Sequence, residues 1–144
     1  LMTARNKPSI AVLLVQKEVA VRLAAMPGDM SVLAVSAQIY ADTHLGIHVD
    51  RSLFTPPPKV DSQVIILRTR QSPLVAPEDE RALFRVVKAG FAAKRKKLRS
   101  SISAGLAISK SQAEELLRHA DIDPELRAED LSIEQWLRLA KDAV

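Results

Sequence analysis

Apolar residues in the first half of the chain cluster in short runs that predict β-strands. Residues 9–15 read S-I-A-V-L-L-V, and such an uninterrupted, partly β-branched run favours a strand buried on both faces, as in a parallel α/β sheet. Two further strands are predicted at residues 45–49 and 62–68, on either side of a proline-rich loop. The first half is therefore expected to belong to an α/β sheet.

Helical segments are predicted between these strands. A segment that opens at residues 16–18 places Val19 and Leu23 on one helical face, and Pro27–Gly28 ends it. The alanines of residues 31–40 favour a second short helix over a strand. A strand that runs directly into a helix is half of a βαβ unit.

The second half has helical periodicity. Apolar residues recur at spacings of three and four between Leu83 and Ile102, and Gly105 is a candidate C-cap. Gly90 lies within this stripe and could divide it into two helices.

Two more helices and a domain boundary complete the prediction. The helices span residues 109–120 and 132–144, and Ser111 and Glu114 are spaced as a capping box for the first of them. A linker with two prolines covers residues 71–77. We therefore divide the chain into an α/β domain of residues 1–72 and a small all-α domain of residues 73–144.

Charge is distributed unevenly along the chain. The net charge is +4, but residues 81–110 carry 9 basic and no acidic side chains, whereas residues 111–144 carry 4 basic and 9 acidic ones. A concentrated positive field of this kind indicates a polyanionic partner. A solvated basic face is the alternative interpretation.

A continuous helix through this segment would gather its cations on one side. At 100° per residue, six of them fall within about one third of the circumference, beside the apolar stripe. They are Arg81, Arg85, Lys88, Arg95, Lys96 and Arg99. Such a helix would anchor itself by one face and offer the other to phosphates.

The proline-rich loop is the second candidate site. Residues 54–62 read F-T-P-P-P-K-V-D-S, and three prolines hold the backbone extended, so that Phe54 and Lys59 take preset positions. A rigid aromatic and a nearby cation suit stacking on a base and contact with a phosphate. A hairpin connection with Phe54 in the core is equally consistent with the residues.

Several function classes have no sequence signal. The chain contains no cysteine, and its histidines (His44, His48 and His119) do not stand at metal-ligand spacing. The glycines, at positions 28, 46, 90 and 105, form no phosphate-binding loop. No apolar run approaches the roughly 18 to 20 residues that span a bilayer. We expect no metal, no membrane association and a cytoplasmic location.

Four segments together resemble one enzyme family. The loop F-T-P-P-P-K-V-D-S resembles the F-x-P-x-P-K-V-x-S signature of the ribosomal RNA adenine-N6,N6-dimethyltransferases of the kasugamycin-resistance type. Three other segments resemble conserved stretches of this family in the same order and spacing. They are L-L-V-Q-K-E-V-A-V-R-L (residues 13–23), F-A-A-K-R-K-K-L-R-S-S-I (91–102) and I-D-P-E-L-R-A-E-D-L-S (122–132).

The resemblance implies a fold and an activity for the intact protein. Members join a class I, Rossmann-like methyltransferase domain to a small helical domain, and transfer methyl groups from S-adenosylmethionine to two adjacent adenines of 16S-type, small-subunit rRNA. This chain would then be an α/β fragment of the methyltransferase sheet followed by a small all-α C-terminal domain. The family's glycine-rich cofactor loop and N-L-P-Y-type motif find no counterpart in it. We expect the chain to be the C-terminal portion of a longer protein and, alone, neither to bind S-adenosylmethionine nor to methylate RNA.

The resemblance implies roles for individual residues. Phe54 matches the aromatic expected against the flipped adenine, with Lys59 beside it in the same motif. Lys94, Arg95 and Lys96 match the basic triplet that implies docking on small-subunit rRNA and the small ribosomal subunit. Lys88, Lys97 and Arg99 are expected to assist.

This chain departs from the family pattern at two places. Lys94 stands where the family commonly has arginine, so the charge is kept without the bidentate fork. Residues 26–31 are shorter than the usual linker and lack its Tyr-Gly-Arg element. We therefore expect this chain to lack a loop contact of the family.

Three other functions fit parts of the pattern. A non-catalytic rRNA-binding or ribosome-assembly protein would need the same basic segment. A helical DNA-binding regulator could use residues 78–120, but would not need the strands of the first half. A fragment of another α/β enzyme whose basic face meets only solvent is the fourth interpretation.

Overall fold

The structure, a computed structural model, describes residues 1–143. The chain forms two compact units. The first comprises Leu1–Ala25 and Leu33–Leu74, and the second comprises Met26–Val32 together with the residues from Val75 onward. The change of unit after Leu74 lies within the predicted linker, whereas the place of Met26–Val32 in the second unit was not predicted. The division into two functional domains at residue 72 stays a prediction.

A three-stranded antiparallel sheet forms the first unit. Strands β1 (Ile10–Gln16), β2 (Ala41–Val49) and β3 (Ser62–Thr69) lie in the order β1-β3-β2. The second and third predicted strands are both present and pair antiparallel, and β3 lies at the centre of the three.

The prediction that the first strand is buried on both faces in a parallel sheet is wrong. β1 pairs with β3 antiparallel, and its side chains alternate between one covered and one open face. Ala11 is buried, while Val12 and Leu14 are 63% and 51% exposed. The apolar run is continuous because both faces of β1 carry apolar side chains, although only one of them is covered in this chain.

The predicted helix after the first strand is present as α1 (Lys17–Leu23), which covers the closed face, and α2 (Val32–Gln38) follows it. The buried cluster under the sheet is small and consists of Ala11, Ala20, Ala41, Ile65 and Leu67. The Gln38 side-chain amide donates to the carbonyls of Leu23 and Ala25 at 3.0 and 2.9 Å, so it satisfies acceptors at the end of α1.

Only helices and turns occur among the described residues of the second unit. They are α3 (Glu80–Phe91), α4 (Leu98–Leu106), α5 (Lys110–His119) and α6 (Ile133–Asp142). Trp136, Leu83, Leu98 and Leu117 are fully buried at its centre. Within residues 1–143, no helix is both long and apolar enough to cross a membrane.

Two helix boundaries differ from prediction. Gly90 lies inside α3 and does not break it. A side-chain carbon at this position would stand 2.5 Å from Cη2 of Trp136, so glycine permits the close packing of α3 against that ring. The helix ends after Phe91 instead. Gly105 lies inside α4, and Ala107, with φ 54°, is the residue that ends that helix.

The capping box of α5 also lies elsewhere than predicted. The Ser109 hydroxyl accepts from the Gln112 backbone N–H, and the Gln112 side-chain oxygen accepts from the Ser109 N–H, both at 3.0 Å. The predicted pair of Ser111 and Glu114 has the right residue types and spacing, but begins two residues too late.

Candidate nucleic-acid interface

The basic segment is not one helix. α3 ends at Phe91 and α4 begins at Leu98, so Lys94–Lys97 lies in the turn between them. The predicted single arc of six cations is therefore wrong. Arg81, Arg85 and Lys88 lie on α3. Arg95 and Lys96 lie in the turn, and Arg99 lies on α4.

The turn presents three cations to solvent without compensation. Lys94, Arg95 and Lys96 are exposed, and none forms an ion pair with any residue in the described part of the chain. The turn itself is defined by backbone bonds, since Lys96 N–H donates to the Ala93 carbonyl at 2.9 Å. We define the basic turn as residues 94–96.

Lys97 and Arg99 are held by carboxylates. Lys97 Nζ and Arg99 Nη1 both contact Glu125, the latter at 2.9 Å, and Arg99 lies 3.6 Å from Glu114. The Lys97 hydrogen bond, helped by the charge of Arg99, holds the pKa of Glu125 below its ordinary value. These two cations therefore join α4 to the segment around Glu125, and their predicted role in RNA binding stays a prediction.

The proline-rich loop is tied down at both ends. The Asp61 carboxylate accepts from the Arg51 backbone N–H at 2.9 Å and contacts His48 Nε2 at 3.0 Å, while Arg51 Nη1 donates to the Lys59 carbonyl at 3.3 Å. The Arg51 hydrogen bond, with His48 acting the same way, lowers the pKa of Asp61. The loop is therefore stabilised by its own polar contacts.

Phe54 and Lys59 differ in their surroundings. Phe54 is half-buried after a short 3-10 turn (Arg51–Leu53), neither in the core nor fully exposed, and the following Thr55–Pro56 bond is cis. Lys59 is exposed and lines a groove of about 660 Å³, which Phe54 does not reach.

Sequence reasoning missed most of the groove beside Lys59. Its walls come from α1 and the loop, and three more cations line it together with three carboxylates. The lining residues are Lys17, Glu18, Val21, Arg22, Asp50, Arg51, Lys59, Val60 and Asp61. The segment that holds Lys17 and Arg22 was noted for its family resemblance, but the spacing of its charges carried no chemical signal until the loop was placed beside it.

The glycines of the described residues are not placed to cradle S-adenosylmethionine. Three of the four glycines stand where a side-chain carbon would collide with a neighbour, namely Val64, Trp136 and Ala89. The fourth, Gly28, lies in a turn and donates its N–H to the Glu129 carbonyl at 2.8 Å. None of them forms a cradle for a cofactor. Nor does any cluster of three histidine, aspartate or glutamate side chains that could hold a metal ion occur in residues 1–143.

Comparison with known proteins identifies relatives over nearly the whole chain. Ribosomal RNA small subunit methyltransferase A of Dehalococcoides mccartyi is 38% identical over 138 residues, 96% of this chain and 47% of that protein. The protein of the same name from Nostoc sp. is 44% identical over 131 residues, 90% of this chain and 47% of its own length. The chain thus spans about half the length of the curated relatives it matches.

Solved structures with a similar fold include a dimethyladenosine transferase and a 23S rRNA methyltransferase. The dimethyladenosine transferase of Plasmodium falciparum superimposes with a TM-score of 0.76 at 26% identity, over 96% of this chain and 59% of that one. The 23S rRNA methyltransferase ErmE gives 0.67 at 29% identity, over 93% and 54%. The family model described as ribosomal RNA adenine dimethylase matches residues 2–143, and the chain belongs to that family.

Proposed function

We propose that this chain is the RNA-docking part of a small-subunit rRNA adenine-N6,N6-dimethyltransferase that uses S-adenosylmethionine and acts in ribosome maturation in the cytoplasm. Its own activity is to hold rRNA, while the groups that bind the cofactor and receive the methyl-accepting nitrogen lie outside it. The names of its relatives support the reaction class and the rRNA substrate. Phe54 and Lys59 are proposed to form one side of the adenine pocket.

The observation that carries the proposal is the uncompensated basic turn. In the same segment Lys97 and Arg99 are paired with Glu125, so the fold neutralises some of its cations and leaves three exposed. Exposed, unpaired cations keep their full attraction for phosphate, because no carboxylate must first be displaced. A phosphate backbone is therefore the partner that this turn fits best.

RNA binding is tested by neutralising the basic turn. We expect the triple variant Lys94→Gln/Arg95→Gln/Lys96→Gln to bind a small-subunit rRNA transcript more weakly. The plot of log affinity against log salt should become shallower by about 2 units, because each phosphate contact contributes roughly 0.7 to 0.9. Filter binding or fluorescence anisotropy over a salt series measures both quantities.

The matched control removes the same charge elsewhere. Lys110, Arg138 and Lys141 are exposed and form no ion pair within residues 1–143. Their triple glutamine variant should change the salt slope much less. Equal effects of the two triples would reduce the proposal to a general effect of net charge. Tighter binding to duplex DNA than to rRNA at the same salt would favour a DNA-binding regulator instead.

A non-catalytic rRNA-binding or assembly protein is the second candidate. The exposed basic turn serves it equally well, because holding rRNA requires no bound cofactor. Methyl transfer by the protein encoded with any residues that precede Leu1 separates the two functions.

A further inference from the structure

We infer that the RNA-contacting surface extends from the basic turn along α3, where Arg81, Arg85, Lys88 and Phe84 form a groove for an unpaired RNA strand. This inference rests on the proposed function, since it assumes that the partner is RNA. It adds the aromatic side chain of Phe84 and a groove to the cations that the sequence pattern predicted for this helix. We call this set the α3 row.

The cations of the α3 row share one side of the helix. At 100° per residue, Arg81, Arg85 and Lys88 fall within about 60° of arc, and the row is about 10 Å long at 1.5 Å per residue. All three are exposed, while Leu83 and Val87 on the opposite side are fully buried. The row is thus fixed in direction by the packing of α3.

No carboxylate pairs with these cations within 4.0 Å in the described residues. The one acidic side chain that lines the groove is Glu80, at its N-terminal end beside Arg81. Positive potential should therefore rise from Arg81 towards Lys88, which leads along the chain to the basic turn. We expect Lys88 and Arg85 to contribute more than Arg81 does.

A groove runs along this row, and its lining includes apolar as well as charged residues. Its volume is about 880 Å³, and its lining consists of Val32, Pro77, Glu80, Arg81, Phe84, Arg85 and Lys88. Phe84 is half-buried, so part of its ring faces the groove. Cations beside an accessible aromatic are the combination that binds single-stranded nucleic acid, because the ring stacks on a base while the cations contact the backbone. A base-paired strand could not offer its base to the ring.

The test compares four variants on one rRNA transcript. The triple Arg81→Gln/Arg85→Gln/Lys88→Gln should lower the salt slope by about 2 units, at roughly 0.7 per phosphate of a single strand. The control triple at Lys110, Arg138 and Lys141 should not. Phe84→Leu keeps an apolar side chain and should weaken binding by roughly five- to a hundred-fold at every salt concentration, because stacking involves no counterion release. The fourth variant is the triple of the basic turn.

The outcomes separate the inference from the proposed function. If the turn triple lowers the slope and the α3 triple behaves as the control, the α3 row does not bind RNA although the turn does. If neither lowers it, the proposed function fails as well. An unpaired RNA oligonucleotide should compete better than the same oligonucleotide annealed to its complement, and equal competition would contradict the single-stranded groove. Unchanged circular dichroism and Trp136 fluorescence show that each variant is folded.

Discussion

At the scale of single residues, the cations of the basic segment differ in their partners. Lys97 and Arg99 contact Glu125, whereas Lys94–Lys96 have no carboxylate within reach in residues 1–143. The sequence did not show which of these cations are paired, because Glu125 lies 28 positions from Lys97. A charge run predicts a positive field, but only tertiary contacts decide which of its members are neutralised.

The pairing of Glu125 makes stability depend on pH. Its pKa is lowered in the folded chain, so the ionised form stabilises the fold above the ordinary value of 4.5, and this contribution is lost as pH falls through the folded value. We expect Glu125→Gln to be less stable than the unaltered chain at neutral pH and to lose less stability on acidification through that window. Urea unfolding at a series of pH values measures the difference.

Glu134 supplies the control for this pH dependence. It is exposed on α6 and forms no ion pair in the described part of the chain. Glu134→Gln should leave the acid dependence of unfolding almost unchanged. Parallel pH profiles for the unaltered chain and for Glu125→Gln would mean that the contact with Lys97 adds nothing to stability.

At the scale of elements, the sequence predicted that helices exist but not where they end. Lysine, arginine and alanine are good helix formers, so residues 92–97 continue the helical pattern without a breaker. The structure ends α3 there because the first N–H groups of α4 find other acceptors. Leu98 N–H donates to the Leu126 carbonyl at 2.8 Å and Arg99 N–H to that of Pro124 at 3.2 Å. Tertiary hydrogen bonds therefore override local propensity.

The N-terminus of α5 distinguishes the predicted cap from the observed one. Ser109→Ala removes the side-chain acceptor of the Gln112 N–H and should cost roughly 0.5–2 kcal/mol in the free energy of unfolding. Ser111→Ala, at the cap predicted from sequence, should cost less or even stabilise the helix, since alanine has the higher helix propensity. Thermal unfolding of both variants measures this. A greater loss from the change at Ser111 would contradict the observed cap.

At the scale of the whole molecule, the family was readable from four short segments, whereas the direction and burial of the strands were not. The predicted candidates Phe54 and Lys59 lie on one loop, but Lys59 lines the groove beside α1 and Phe54 does not. The contacts of Arg51 and Asp61, which hold the loop, could not be predicted from sequence. The apolar run of β1 correctly predicted a strand, but it wrongly predicted that both faces of the strand are buried. An apolar residue tends to be buried, but its identity does not show whether the element that buries it belongs to the same compact unit.

The open face of the sheet has a consequence that can be measured. Val12 and Leu14 are 63% and 51% exposed and stand opposite Ile66 and Val64 on β3, so these side chains form an apolar surface. β1, which carries Val12 and Leu14, is also an edge strand of the three-stranded sheet. Such surfaces associate, because each contact removes apolar area from water and an unpaired edge accepts another strand. We expect the 144-residue chain to self-associate with rising concentration, and Val12→Thr/Leu14→Thr to reduce this without loss of the strand, since threonine suits β-structure.

Sedimentation velocity over a concentration series tests the role of this face. The matched control is Leu53→Thr/Val60→Thr, which removes two apolar side chains that are 75% and 49% exposed but lie outside the sheet. If the face drives association, only the β1 variant shifts the distribution towards monomer. A chain that stays monomeric throughout, or equal effects of the two variants, would contradict this account. A monomeric, cooperatively folding β1 variant would in turn show that the closed face, with its small alanine-rich core, is sufficient to hold the sheet together.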